Sequence, residues 1–171
     1  MSGLIGYLWG APASPKSPLP SPPKPPAKPK LKLYLAGAYE ERGIMRARAN
    51  TLVGFCDITH RWFDLPETRP AERTAVATRD LQGVRDADAV FACIDVFNYP
   101  YRGTWTEVGA AIALGKHVII YMPLGRPVNG PGKERPPTNA NESNVFAHHP
   151  GVQCFTLWDD AIKVLKGIQT V

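Results

Sequence analysis

One carboxylate stands inside an otherwise apolar helical stretch in "RGTWTEVGAAIALGKHVIIYM", residues 102–122. Glu107 follows Gly103 and Thr104, and the run closes at Gly115 and Lys116 before an apolar strand begins. The spacing places Glu107 in the first turn of the helix. A carboxylate there has an ordinary use, since the positive end of the helix macrodipole stabilises it. It has a second use in a tight, partly dry setting, where it can act as a nucleophile once another group positions it. Trp105, Val108 and Gly109 supply such a setting, and Gly103 permits close approach of a loop.

Other groups able to do chemistry lie upstream. Asp80, in "RDLQGV", sits on a helical stretch, where a surface acid is the plainest reading. In "AGAYEERG", Gly37 lets the backbone come close to a ligand and Tyr39 follows it. Arg42 is the nearest cation able to meet a phosphate, or an ordinary solvated arginine at the start of a helix.

The elements that must carry these residues alternate. "LKLYLA", residues 31–36, is a short apolar strand ending at Gly37. "EERGIMRARANTLVGF" has apolar residues at helical spacing. "DITHRWF" mixes aromatic and β-branched residues with polar ones and reads as a second strand. "DLPETRPAE" is a loop and "RTAVATRDLQGVRDAD" a helix. "AVFACID" is a near-continuous apolar run, the mark of a central parallel strand. "WTEVGAAIALG" is a helix closed by Gly115, and "HVIIYM" is the fourth strand. "VQCFTL" and "WDDAIKVLKGI" supply a fifth strand and a last helix.

This pattern gives an α/β protein with a flavodoxin/Rossmann-like, doubly wound, five-stranded parallel sheet and helices on both faces. Ligands of such sheets bind at the carboxyl ends of the strands. Three segments leave strand ends: "AGAYEERG", "DVFNYPYRGTWTE" and "PLGRPVNG". The last opens a long Gly/Pro loop, of a length that suggests function.

Composition narrows the classes. With 44% hydrophobic and 20% charged residues, the chain reads as globular and soluble. Its apolar runs are too short to span a membrane. "GLIGYLWGAPA" lacks the basic leading region of a secretory signal. The net charge of +5 belongs mostly to residues 1–30, which hold Lys16, Lys24, Lys28 and Lys30 and no acid. The basic balance therefore marks no nucleic-acid-binding face. Half of the 18 prolines fall in the same stretch. We expect residues 1–30 to be a Pro/Lys-rich disordered arm ahead of one domain, residues 31–171. Its PxxP patterns suit a proline-recognition partner, although a solvated extension is the simpler reading. Cys56, Cys93 and Cys154 form no metal or disulfide pattern, so a reducing cytosol fits and no metal is expected.

Three stretches together carry a resemblance: "LYLAGAY", "RDLQGVRDADAVFACID" and "GTWTEVGAAIALGKHVIIY". They resemble the nucleoside 2-deoxyribosyltransferase family, which includes the 2'-deoxynucleoside 5'-monophosphate N-glycosidases. The resemblance covers most of residues 31–168. It implies cleavage of the N-glycosidic bond of a deoxynucleoside or deoxynucleotide, no cofactor, and a homodimer or dimer-based oligomer in the cytoplasm. It places Glu107 on the family's nucleophile and Asp80 on the second carboxylate, which protonates or orients the leaving base. It places Tyr39 in the first strand-end loop, where the family keeps sugar- or phosphate-contacting groups; Gly37, Arg42 and Gly103 join it as expected substrate contacts on the grounds given above. It matches Asn144 to an asparagine that the partner subunit contributes, or else Asn144 makes a loop turn bond. Where the family's transferases carry an aspartate six residues before the nucleophile, this chain has Tyr101. Tyr101 and Trp105 stack on a base or pack within the loop.

The chemistry explains the pair of carboxylates. A glycosidic carbon gains oxocarbenium character as its base departs. One ionised carboxylate must lie below it and one protonated group must reach the base. Two other classes stay open: a non-catalytic nucleotide-binding module of the same fold, and an interaction protein working through its arm.

Overall fold

The computed structural model describes residues 29–66, 69–97, 99–123 and 139–168. The proposed arm, apart from Pro29 and Lys30, and the segment "LGRPVNG" lie outside the described residues. Within them, five parallel strands form one sheet in the order β2-β1-β3-β4-β5. They are β1 (Leu31–Ala36), β2 (Cys56–Ile58), β3 (Ala89–Cys93), β4 (His117–Tyr121) and β5 (Val152–Phe155). The helices are α1 (Arg42–Leu52), α2 (Arg73–Asp86), α3 (Arg102–Ala113) and α4 (Trp158–Gly167). No helix among the described residues is long and apolar enough to cross a membrane.

Strand alternation sorts the core into two layers. Tyr34, Ala36, Val90, Ala92, Val118 and Ile120 point to one face, where they meet Val84 of α2 and Val108 and Ala111 of α3. Leu33, Leu35, Phe91, Cys93 and Ile119 point to the other, against Met45 and Ala49 of α1 and Ala161 and Leu165 of α4. The sheet is therefore covered on both faces, as a parallel sheet of near-continuous apolar strands requires. Each fully buried large side chain contributes roughly 1.5–3 kcal/mol. Arg48 packs over the rings of both Tyr121 and Trp158 and donates to Asp95 Oδ1 at 2.7 Å.

Three local expectations are corrected. The second strand ends at Ile58 and does not run to Phe63. Thr59 diverts the chain: its amide donates to Leu33 O at 2.9 Å, and its hydroxyl donates to Gly83 O of α2 at 2.8 Å. Trp62–Asp64 then forms a single 3-10 turn that buries Phe63. The first helix opens as a 3-10 turn, Tyr39–Glu41, before α1 proper.

The third correction bears on chemistry. Helix α3 begins at Arg102, so no acid lies in its first turn and Glu107 stands in the second. The macrodipole effect fades beyond the first turn, so capping no longer accounts for this carboxylate. The other end conforms to expectation: Gly115 has φ +65° and closes α3, its amide donating to Ile112 O at 3.0 Å.

Candidate active site

A cleft of about 560 Å³ opens at the carboxyl ends of β1 and β3. That is the place a parallel sheet reserves for ligands, and the volume is within the usual range for small-molecule sites. Both predicted carboxylates line it. Glu107 reaches it from α3, with Gly103 and Thr104 on the same helical face. Asp80 reaches it from α2, and Val76, one turn earlier, lines it too. The loop after β1 adds Gly37, Ala38 and Tyr39, and Trp62 closes one side.

Two residues that the sequence reading did not single out organise the pair. Tyr34 lies on β1, wholly buried, and its hydroxyl donates to Glu107 Oε1 at 2.6 Å. His60, just after β2, brings Nε2 to 3.2 Å from Asp80 Oδ1. That is an ion-pair distance when His60 is protonated, although the alignment is too poor for a hydrogen bond. Gly83 makes this packing possible. A Cβ there would lie 2.7 Å from His60 Cβ and 2.8 Å from Tyr34 Cδ2, distances no packed side chain tolerates.

The electrostatics follow from burial. Desolvation pushes the Glu107 carboxyl up to about 8, with Asp80 adding to the rise and the Tyr34 hydrogen bond opposing it. Burial also raises Asp80, while His60 and Arg79 hold it down. Burial, with Glu107 and Asp80 beside it, keeps the Tyr34 phenol firmly protonated. The resting site therefore holds a proton on Glu107 near neutral pH. We expected that carboxylate to be ionised, and the difference comes from desolvation.

The remaining expected contacts divide. Gly37, Tyr39, Tyr101 and Gly103 line the cleft. Tyr39 Oη is buried with no hydrogen-bond partner, a state that calls for one. Arg42 does not line the cleft; it is exposed and stacks over the Tyr39 ring at 4.7 Å. The cation that does line it is Arg102, in the first turn of α3. Tyr101 has already committed its hydroxyl, accepting from Val96 N and donating to Glu41, each at 2.8 Å.

Trp105 is two residues from Glu107, which turns it to another side of the helix. It donates through Nε1 to Asn141 Oδ1 at 3.0 Å and lines a separate, smaller cleft of about 350 Å³. Asn144 lines that second cleft as well, and its side chain accepts from Phe146 N at 3.0 Å. Neither residue lines the main cleft.

The comparisons with known proteins agree with this architecture. Residues 33–146 match the family model described as nucleoside 2-deoxyribosyltransferase. The fold is similar to that of a 2-desoxiribosyltransferase from Leishmania mexicana, with 21% identity and a TM-score of 0.56, covering 83% of this chain and 100% of that one. It is also similar to a 2-deoxyribosyltransferase from the psychrotolerant bacterium Bacillus psychrosaccharolyticus. There the identity is 25% and the TM-score 0.53, over 81% of this chain and 92% of that one. No curated protein matches the sequence. The matched span holds Tyr34, His60, Asp80 and Glu107, and with it the whole lining of the cleft. This chain belongs to the nucleoside 2-deoxyribosyltransferase family.

Proposed function

We propose that the protein cleaves the N-glycosidic bond of 2'-deoxynucleosides or their nucleotides through a covalent glycosyl-enzyme on Glu107. The deoxyribose then passes to a second base or to water. One observation carries the reading. Two partly buried carboxylates share one cleft, each with its own partner, Tyr34 on Glu107 and His60 on Asp80.

The pair works with one proton between them. Glu107 gives its proton to Asp80 and becomes the nucleophile, held by the Tyr34 hydroxyl. A Glu107 oxygen forms a bond to C1' as the C1'–N bond breaks, and the bond's electron pair leaves with the base. Asp80 delivers the proton to that base. In the second half, water or a second base gives its proton to Asp80 and attacks C1', and the Glu107 carboxylate departs. Tyr39, Gly37 and Gly103 contact the sugar, and Arg102 rather than Arg42 is the cation placed to meet a 5'-phosphate.

The same reading treats residues 31–171 as the catalytic domain and residues 1–30 as a separate arm. It makes the protein a cytoplasmic, self-associating enzyme in which Asn144 serves the partner's cleft.

The test is chromatographic. Each deoxynucleoside and each deoxynucleoside 5'-monophosphate is incubated with the protein and with Glu107→Ala, with and without a free acceptor base. Free base without an acceptor identifies a hydrolase, and a new nucleoside only with an acceptor identifies a transferase. Equal release by Glu107→Ala removes the nucleophile assignment. Tight binding of nucleosides without turnover favours a binding module of the same fold.

A further inference from the structure

The loop between β3 and α3 holds one residue in a conformation that side chains avoid. Tyr101 has φ 45° and ψ 39°, and it is the only non-glycine residue with positive φ among the described residues. A left-handed residue bearing a Cβ costs free energy and persists only where its surroundings over-determine it.

Here the surroundings are specific. Tyr101 is buried, and its hydroxyl both accepts from Val96 N and donates to Glu41 Oε2. Its ring packs edge-on against Tyr99 with centroids 4.9 Å apart. Its carbonyl accepts the Trp105 amide at 2.9 Å, which opens the hydrogen-bond ladder of α3. No side chain caps that helix, so its start is set by the Tyr101 backbone. Glu41 is also buried and belongs to the 3-10 turn after β1. One phenol therefore ties the loop after β1 to the loop after β3. Both loops line the cleft, Ala38 and Tyr39 from one and Tyr99, Pro100 and Tyr101 from the other.

We propose that Tyr101 and Glu41 are positioning residues for the nucleophile. Their hydrogen bond fixes where α3 starts and holds the strained turn, so that Glu107, six residues on, meets C1' without rearrangement. The proposal rests on the assignment of Glu107 as nucleophile. Glycine at position 101 would adopt the same φ without strain but could not tie the loops. Phenylalanine would fill the same space but leave the Val96 amide and the Glu41 carboxyl unpaired.

The experiment compares kcat and KM for base release, with thermal midpoints, in wild type, Tyr101→Phe, Glu41→Gln and Glu41→Ala. Glutamine keeps a carbonyl oxygen that accepts from the phenol; alanine keeps nothing. Well below their midpoints, Tyr101→Phe and Glu41→Ala are expected to lose at least about tenfold in kcat, while KM changes less than about threefold. Glu41→Gln is expected to keep kcat within about twofold. A folded Tyr101→Phe with wild-type kcat overturns the proposal, as does Glu41→Gln losing as much as Glu41→Ala. If Tyr101→Phe does not fold, the two Glu41 variants decide alone. A wild-type protein that releases base from no nucleoside removes the nucleophile assignment. The tie between the loops is then decided by amide hydrogen exchange at Val96 and Trp105. Exchange is expected to accelerate in Tyr101→Phe and not in Glu41→Gln, and unchanged exchange in Tyr101→Phe overturns the tie.

Discussion

The hydroxyl of Tyr34 and the carboxyl of Glu107 meet at 2.6 Å across 73 residues of sequence. The bond joins a central strand to the second turn of α3 and selects which Glu107 oxygen stays free. Tyr34→Phe removes the donor and keeps the ring. Base release is expected to fall roughly 10- to 100-fold in kcat/KM. Stability is expected to change by only about 1 kcal/mol, as for a single hydrogen bond. The same loss takes away an interaction that holds the Glu107 carboxyl down, so the alkaline limb of the pH–rate profile is expected to move to higher pH. An unmoved limb would mean that this hydrogen bond does not reach the titrating group.

The pair's shared proton fixes the shape of that profile. Glu107 and Asp80 must carry one proton between them for one to attack while the other donates. Below the raised range of Asp80 both are protonated, and above about 8 both are ionised. The rate of base release is expected to follow a bell whose falling limb lies near 8. A rate that keeps rising past that limb and levels off would show that no proton on the pair is needed.

Stability carries the same signature with its own sign. In the folded state Glu107 holds its proton up to about 8, against an ordinary glutamate value of 4.5. Its contribution to stability is therefore intact below about 4.5, declines as pH rises to about 8, and stays low beyond. Glu107→Gln keeps a carbonyl oxygen for Tyr34 and cannot ionise. Denaturant midpoints are expected to show it more stable than wild type at pH 9, on the order of 1–2 kcal/mol, with the gap closing by pH 4. A constant gap across that range would contradict the assignment of the shift to Glu107.

Two glycines make opposite predictions. Gly83→Ala drives a Cβ against His60 and Tyr34, so it is expected to cost about 1–3 kcal/mol and to weaken catalysis together with stability. Gly103→Ala meets nothing within 4 Å and lies within α3, so it is expected to gain about 0.5–1 kcal/mol. Because Gly103 lines the cleft, any loss of activity in that stabilised variant reports crowding of the substrate. Calorimetry with parallel base-release assays separates the two outcomes.

Much of the fold was legible because periodicity states it directly. "LKLYLA" and "AVFACID" are apolar on both faces, and only strands buried on both sides read that way. Glu107 was singled out by its placement and Asp80 by the family resemblance, and both line the cleft. Tyr34 was hidden because an aromatic residue inside such a strand looks like core, and only its hydroxyl distinguishes it. His60 was hidden because "DITHRWF" alternates like a strand, whereas Thr59 turns the chain toward α2. The start of α3 was hidden because no Ser, Thr, Asp or Asn caps it, and the left-handed Tyr101 does that work through its backbone. Arg42 was expected because it is the nearest cation to the loop after β1, but it is exposed and outside the cleft, and Arg102 lines the cleft instead.

The strand order has a consequence for biosynthesis. Strand β1 pairs first with β2 on one edge and then with β3 on the other, and β4 and β5 extend the sheet in that second direction. A nascent chain thus builds the sheet outward, each later strand docking on the edge left by the one before. Tyr34, His60, Asp80 and Glu107 all emerge within the first three strand–helix units, and no described residue after Glu107 lines the main cleft. A ribosome stalled after α3 would carry every one of these groups but leave the β3 edge unpaired, a template for non-native strand addition. Strands β4 and β5 line no part of the main cleft, and pairing with β4 is what covers the β3 edge.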